Sequence, residues 1–198
     1  MYYNAGKEVR FMKHLGTKTI ETSRLILRRY TADDAQAMFD NWASDDEVTK
    51  YLTWPSHGSV DISKMIINDW ISAYEKDSSY HWAIVLKENG DEPIGDIAVC
   101  GMNENACRAH IGYCLSKSFW HRGIMSEALK AVMDFLFDEV GFLRIDARHD
   151  PKNPNSGAVM RKCGMKYEAT MRNYDWNNTG ICDCDYYALL KEERDNND

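Results

Sequence analysis

Trp120-His-Arg-Gly-Ile-Met-Ser-Glu-Ala-Leu129 is the segment whose residue types and order best suit the holding of an anion. Apolar residues follow at Met125, Leu129, Val132, Leu136 and Val140, the three- and four-residue spacing of one helix face, and Gly141 is placed to stop that helix. A helix opening near Gly123 has unpaired N–H groups at the positive end of its dipole, where a phosphate or pyrophosphate can bind. Gly123 has no Cβ to keep a ligand off the backbone, and Arg122 adds a cation. The plain alternative is that Gly123 and Ser126 only start a helix and Arg122 is solvated. A second segment, His149-Asp-Pro-Lys-Asn-Pro-Asn-Ser-Gly-Ala-Val-Met-Arg-Lys-Cys-Gly-Met165, puts Asn153 and Ser156 in a loop and the first turn of another helix. Val159 and Met165 face inward from it.

The elements that must position these residues follow from periodicity and turn chemistry. Leu25-Ile-Leu27 reads as a short strand, and Thr31 as the N-cap of a helix running to about Ala43. A short helical piece at 46–52 ends near Trp54-Pro55. Ser59 opens a helix whose inner face is Ile62, Met65, Ile66, Trp70 and Tyr74. Strands at 82–86, 94–100 and 109–115 form a meander around turns at 88–91 and 103–105. The long helix at 123–140, a strand at 143–147, a helix at 155–162 closed by Gly164, and strands at 165–172 and 182–190 complete the chain. The order βααβββαβαββ predicts an α/β fold, a mixed sheet with helices on both faces and strand–helix–strand crossovers near the end.

Composition bounds the function. The 198 residues suit one domain, and 44% hydrophobic with 28% charged residues can bury a sizeable core. Acids outnumber bases by 31 to 24, a net charge of −7, which argues against general nucleic-acid binding and suits a cationic partner. No apolar run approaches the roughly 18 residues of a membrane span, and the first sixteen residues lack the apolar block of a secretory signal. The six cysteines show no zinc-finger spacing. Cys100, Cys107 and Cys114 read as small buried hydrophobes, and Cys182 and Cys184 as sharing one strand face. No metal site is expected, and a soluble, reduced, cytoplasmic domain is.

Four motifs in order resemble the GNAT N-acetyltransferases, and within them the RimJ/RimL-type branch: Glu21-Thr-Ser-Arg-Leu-Ile-Leu-Arg28, Ile111-Gly-Tyr113, Trp120-x-x-Gly123-x-x-Ser-Glu-Ala128, and Asn153-x-x-Ser156-x-x-Val159-x-x-Lys162-x-Gly164-Met165. The resemblance covers about residues 20 to 190. It implies a GNAT-type acyl-CoA N-acyltransferase fold with a mixed, mostly antiparallel central sheet. Its domain would span 19–192, between an irregular or loosely packed extension at 1–18 and a frayed polar tail at 193–198. Acetyl-CoA is the implied co-substrate, its pyrophosphate on the backbone N–H groups of His121, Arg122, Gly123, Ile124, Met125 and Ser126. Leu115 would offer a backbone N–H to the thioester oxygen, and Asn153 would contact the pantetheine. Ser156 matches the position that protonates the departing thiolate, and Asp175 falls where such enzymes carry a carboxylate base. Trp120 is usual for this branch. Met125 departs from the wider superfamily's small residue without obstructing backbone contacts.

Each implied role has a structural rival. Ser156 can cap its helix. Asp175 can be a solvated turn residue, and Glu168, Asp183 and Asp185 compete with it as base. His110 and His121 read first as strand and loop residues, and Trp42, Trp54 and Trp70 as core rather than acceptor contacts. The expected reaction is direct attack of a primary amine on acetyl-CoA. An α-amine of pKa near 8 costs about 1.4 kcal/mol to deprotonate at pH 7, against about 4.6 for a lysine. A single carboxylate therefore suits a protein N-terminal α-amine. A small cationic amine (polyamine, aminoglycoside-like antibiotic, amino acid) and a non-catalytic acyl-CoA-binding module are the alternatives. Family members often pair through sheet edges, so a homodimer is among the assemblies to expect.

Overall fold

Side chains alternate across a strand, so runs that place apolar residues at every second position give a sheet one dry face. The computed structural model describes residues 12–196, which leaves most of the expected N-terminal extension and the last two tail residues outside the described residues. Eight strands form one sheet: β1 (Ile20–Glu21), β2 (Leu25–Arg28), β3 (His81–Leu86), β4 (Pro93–Asn103), β5 (Arg108–Leu115), β6 (Arg144–His149), β7 (Lys166–Asn177) and β8 (Gly180–Leu190). Their order is β1-β2-β3-β4-β5-β6-β8-β7, and every neighbouring pair is antiparallel except β5 with β6. On one face Trp82, Ile84, Ile97, Ala109, Ile111, Ile145 and Ala147 meet α4 (Ile124–Phe135) and α5 (Pro154–Lys162) in the main core. The other face carries Ala83 and Cys114 against α1 (Asp34–Met38), α2 (Asp46–Thr49) and α3 (Val60–Ala73).

The helix after Gly123 forms as its spacing predicts. Met125, Leu129, Val132, Leu136 and Val140 are all buried, and Gly141 ends it in the left-handed region at φ 95°. Four other expectations are corrected. The first helix starts at Asp34, whose carboxylate accepts from the Thr31 N–H at 2.7 Å, so Thr31 is not its N-cap. In α3 the buried residues are Ser63 and Ile67, while Ile62 and Met65 are exposed. Part of the tail is not frayed: α6 (Lys191–Asp195) docks through Arg194, which pairs with Asp134 and Asp138. Residues 12–18 are irregular but not loosely packed, since the Trp82 indole donates to the Lys18 carbonyl at 2.6 Å and the Thr17 hydroxyl to the Ser79 carbonyl at 2.9 Å. Among the cysteines, Cys114, Cys182 and Cys184 are buried, Cys107 is half-buried and Cys100 is exposed.

One irregularity of the sheet builds the site. β5 and β6 pair only at Arg108–Arg144, Ala109–Ile145 and His110–Asp146. Beyond that point β6 follows β8, reaching His149 opposite Asp185, while β5 follows β4 to Leu115 opposite Gly95. The two strands splay into a wedge, and Ile111 to Leu115 present a backbone edge with no strand partner on that side.

Candidate active site

At the mouth of the wedge, the loop from β5 to α4 turns tightly, with the Trp120 indole donating to the Leu115 carbonyl at 2.8 Å. His121 at φ 60° and Gly123 at φ 73° both lie in the left-handed region. A non-glycine residue held there is a strained position of the kind that concentrates at binding sites. Alternation of this sort turns successive N–H groups toward one point, the geometry of an anion nest. Two cations converge on it. Lys162 Nζ lies 3.4 Å and the Arg24 guanidinium 3.8 Å from where a Cβ on Gly123 would stand. Arg24 is fixed by a hydrogen bond to the Arg122 carbonyl at 3.0 Å and by Glu127 at 2.7 Å. Burial raises the Glu127 pKa, but hydrogen bonds from Thr22 and Arg24 outweigh it and keep the carboxyl below its usual range. The Arg122 guanidinium lies over the Phe119 ring.

Across the wedge, α5 begins with Pro154 after Asn153, whose side chain makes no capping bond. Ser156 sits within the first turn, so it does not cap this helix. Its hydroxyl lies 3.1 Å from the Tyr113 phenol, which also donates to the Ser156 carbonyl at 3.0 Å. Burial pushes the Tyr113 pKa well up, and the Ser156 contact offsets only part of that.

Two cavities follow. The larger, about 530 Å³, is lined by Leu115, His121, Gly123, Ile124, Met125, Ser126, Asn153 and Ser156 together with Lys162. Of the residues expected to hold the co-substrate, only Arg122 is not on its wall. The smaller, about 410 Å³, contains Asp175 on its wall. The two share Tyr51, Leu52, Tyr113 and Cys114, so they meet inside the wedge.

The polar face of the sheet floors the smaller cavity. His110 Nδ1 is 2.5 Å from Asp146, which also forms an ion pair with Arg108, Nε at 2.8 Å. Arg148 binds Asp175 through Nε at 3.0 Å and Nη2 at 2.5 Å, and its Nη1 is 3.3 Å from His110 Nε2. His81 Nε2 meets Asp96 at 2.7 Å, and the Cys114 thiol donates to the same carboxylate. Burial, with Asp96 beside it, pushes the Cys114 thiol well up. Trp70 lies tilted against His81 with ring centroids 3.8 Å apart, and Trp54 and Trp70 both line this cavity while Trp42 is buried. A bridge roofs it: the Asn178 side chain, in the β7–β8 turn, donates to the carbonyls of Thr49 at 2.9 Å and Trp54 at 2.8 Å.

Sequence reasoning missed Tyr113, Arg24 and Lys162 as site residues, although all three stand inside the quoted motifs. It also missed the ionic chain Asp146–His110–Arg148–Asp175, whose members are joined only by strand register. Glu168 pairs with Arg144, and Asp183 accepts from the Asn173 N–H.

The acetyltransferase (GNAT) domain family model matches residues 24–166. The uncharacterized N-acetyltransferase YoaA of Bacillus subtilis is 31% identical over 172 residues, covering 87% of this chain and 96% of its own. The uncharacterized N-acetyltransferase p20 of Bacillus licheniformis is 32% identical over 180 residues, covering 89% and 98%. Among solved structures, a GNAT-family acetyltransferase from Bacillus anthracis superposes with a TM-score of 0.77 at 24% identity, covering 89% of this chain and all of that one. RimL, a ribosomal L7/L12 α-N-protein acetyltransferase solved with coenzyme A, gives 0.79 at 22%, covering 89% and 99%. A wedge in a mixed sheet, an anion nest at its mouth and these matches define one class: the chain belongs to the GNAT acetyltransferases. It is an N-acetyltransferase that takes its acetyl group from acetyl-CoA. Among the described residues, no helix is long and apolar enough to cross a membrane.

Proposed function

We propose that the acceptor is the α-amine of a polypeptide N-terminus, acetylated by direct attack on acetyl-CoA held in the larger cavity. The observation that carries this reading is the state of the carboxylates on the acceptor side. Asp96 is engaged by His81 and Cys114, Asp150 by Asn177 and the Lys152 N–H, and Asp175 by Arg148 and the Trp176 N–H. Each carboxylate that lines the cavity thus already accepts hydrogen bonds from the protein, and a polyamine's second ammonium would have to displace or share them. Trp176 on the cavity wall and Tyr174 and Ile181 outside it are exposed, an apolar track for residues that follow a terminal amine. The name of one relative agrees: a putative ribosomal N-acetyltransferase, YdaF of Bacillus subtilis, is 29% identical over half of this chain.

The residues divide the work by position. The nest at 121–126 with Lys162 and Arg24 holds the pyrophosphate, and Asn153 lies beside the arm that descends the wedge. The unpaired edge of β5, Leu115 included, offers backbone donors to that arm and to the oxyanion that forms at the thioester carbon. Ser156, linked to Tyr113, gives a proton to the departing thiolate. Thiol release from acetyl-CoA is the test, with one pool of peptides that have free Ala, Ser or Met N-termini and blocked lysines, and another of polyamines, aminoglycosides and amino acids. Release with the peptides and an added acetyl mass on their α-amines is expected. Release with the small amines alone would replace this reading.

A further inference from the structure

We propose that His110 Nε2 takes the proton from the acceptor amine, with Asp146 orienting the ring and the Arg148–Asp175 pair holding its free nitrogen until an amine arrives. This rests on the amine-acetylation reading above.

The hydrogen-bond partners fix the chemistry of the ring. Asp146, 2% exposed, is paired with Arg108 at 2.8 Å and Arg144 at 3.5 Å, and a carboxylate so paired can only accept. His110 Nδ1 therefore carries the hydrogen in the 2.5 Å contact. On the other side, Arg148 can only donate, so Nε2 carries a lone pair where Nη1 approaches at 3.3 Å. Both neighbours select the same neutral tautomer, with its basic nitrogen on the cavity side. A buried carboxylate behind an imidazole orients it and stabilises the imidazolium formed on proton uptake.

Position supports the same role. The last β5–β6 pair is His110–Asp146, so His110 stands at the vertex of the wedge. The unpaired edge of β5 runs from Leu115 back to Ile111, about 14 Å at strand rise, and ends next to His110. An acyl group held along that edge can thus be approached by an amine from the His110 side. The competing groups are less well placed. His81 spends Nε2 on Asp96, is covered by the Trp70 ring and lies on β3, two strands from the wedge. Asp175 has one oxygen bound twice by Arg148 and the other by the Trp176 N–H.

The step balances without a further reactant. An ammonium gives one proton to Nε2, and the free amine attacks the thioester carbon. The C–N bond forms, the C–S bond breaks, and the second amine proton is matched by the one delivered to the thiolate. Amide, free thiol and a His110 imidazolium paired with Asp146 result. Arg148, a donor, must withdraw from Nε2 as the ring is protonated, and Asp175 on β7 is where it is held. The charged and titratable groups around His110 are Asp146, Arg108, Arg144, Arg148, Asp175 and the Tyr186 ring at 6.3 Å, with Asp96 and the Cys100 and Cys184 thiols on the same cavity wall.

The test compares the parent with His110→Ala and Asp175→Asn, using a peptide with a free α-amine and following both pH–rate profiles and acetyl-CoA affinity. In His110→Ala, kcat is expected to fall about 10²-fold or more, with acetyl-CoA affinity unchanged, the acidic limb of the profile lost and partial rescue by added imidazole. In Asp175→Asn the acidic limb is expected to persist. A parent-like kcat and limb in His110→Ala, or loss of the limb in Asp175→Asn alone, overturns His110 as the base and leaves the acetylation reading standing. A parent that binds acetyl-CoA and acetylates no α-amine overturns both.

Discussion

The Tyr113 phenol and the Ser156 hydroxyl, 3.1 Å apart, join β5 to α5 across the open wedge. Either oxygen can be the donor in that contact, so a phenol that turns from the Ser156 carbonyl to the Ser156 hydroxyl leaves the serine proton available for the thiolate. Tyr113 lines both cavities, so this pair stands where the two cavities meet.

Ser156→Ala and Tyr113→Phe are each expected to lower kcat by about 10-fold to 10²-fold with acetyl-CoA affinity nearly unchanged. The double variant should be little worse than the poorer single one, because residues of one hydrogen-bonded unit do not add. Steady-state kinetics with calorimetric affinities check this, and additive losses would separate the two groups.

Gly123 has φ 73°, and a Cβ there would stand 3.4 Å from Lys162 Nζ. Gly123→Ala carries about 1–2 kcal/mol of left-handed strain and meets the incoming pyrophosphate. Acetyl-CoA affinity should fall, and Gly123→Glu should abolish binding by adding a carboxylate at the nest. Unchanged affinity in Gly123→Glu, measured by calorimetry, would remove the phosphate-loop assignment.

The long helix and the nest were legible in the sequence because their signals are local: a stripe at helical spacing, a glycine ahead of it, and caps. The α3 face was read in part: Ile66 and Trp70 pack on the core and Tyr74 is buried, while Ile62 and Met65 are exposed, for a physical reason. Ser63 is buried because its hydroxyl meets His57 Nδ1 at 2.8 Å, and a count of apolar residues gives a serine no weight. The tail read as frayed because its composition is polar, yet Lys191 and Arg194 find Asp134 and Asp138, more than fifty residues back. The wedge and the Asp146–His110–Arg148–Asp175 chain depend on which strands are neighbours and where pairing stops. Residues 36 and 27 positions apart carry no local pattern that announces such contacts.

That tail contact should be pH-sensitive. The Arg194 hydrogen bond, helped by Lys191 and opposed by burial, holds the Asp138 carboxyl down to about 2. A carboxyl depressed below its unfolded value, near 3.9, adds stability that is full above about pH 4 and lost as pH falls toward 2. The side chain is about half exposed, so solvent screens the pair and the gain is modest. Asp138→Asn should melt below the parent at pH 6, and the gap in Tm should close by pH 2. A gap that is constant across that range would assign the loss to packing.

Asn178 tests whether the roof belongs to acceptor binding alone. Its side-chain bonds to Thr49 and Trp54 tie the β7–β8 turn to the loop after α2, while its backbone N–H reaches the Leu52 carbonyl at 3.2 Å. Asn178→Ala removes the first two and keeps the third. The residue is exposed, so water can take up the freed carbonyls, and the stability loss should be about 1 kcal/mol. Tyr51 and Leu52, carried by the loosened loop, border both cavities, but the nest lies at the far end of the larger one. The acceptor KM should therefore rise several-fold while acetyl-CoA affinity stays at the parental value. Equal losses of both would mean that the bridge organises the whole wedge, and no change in either would leave Asn178 a surface contact.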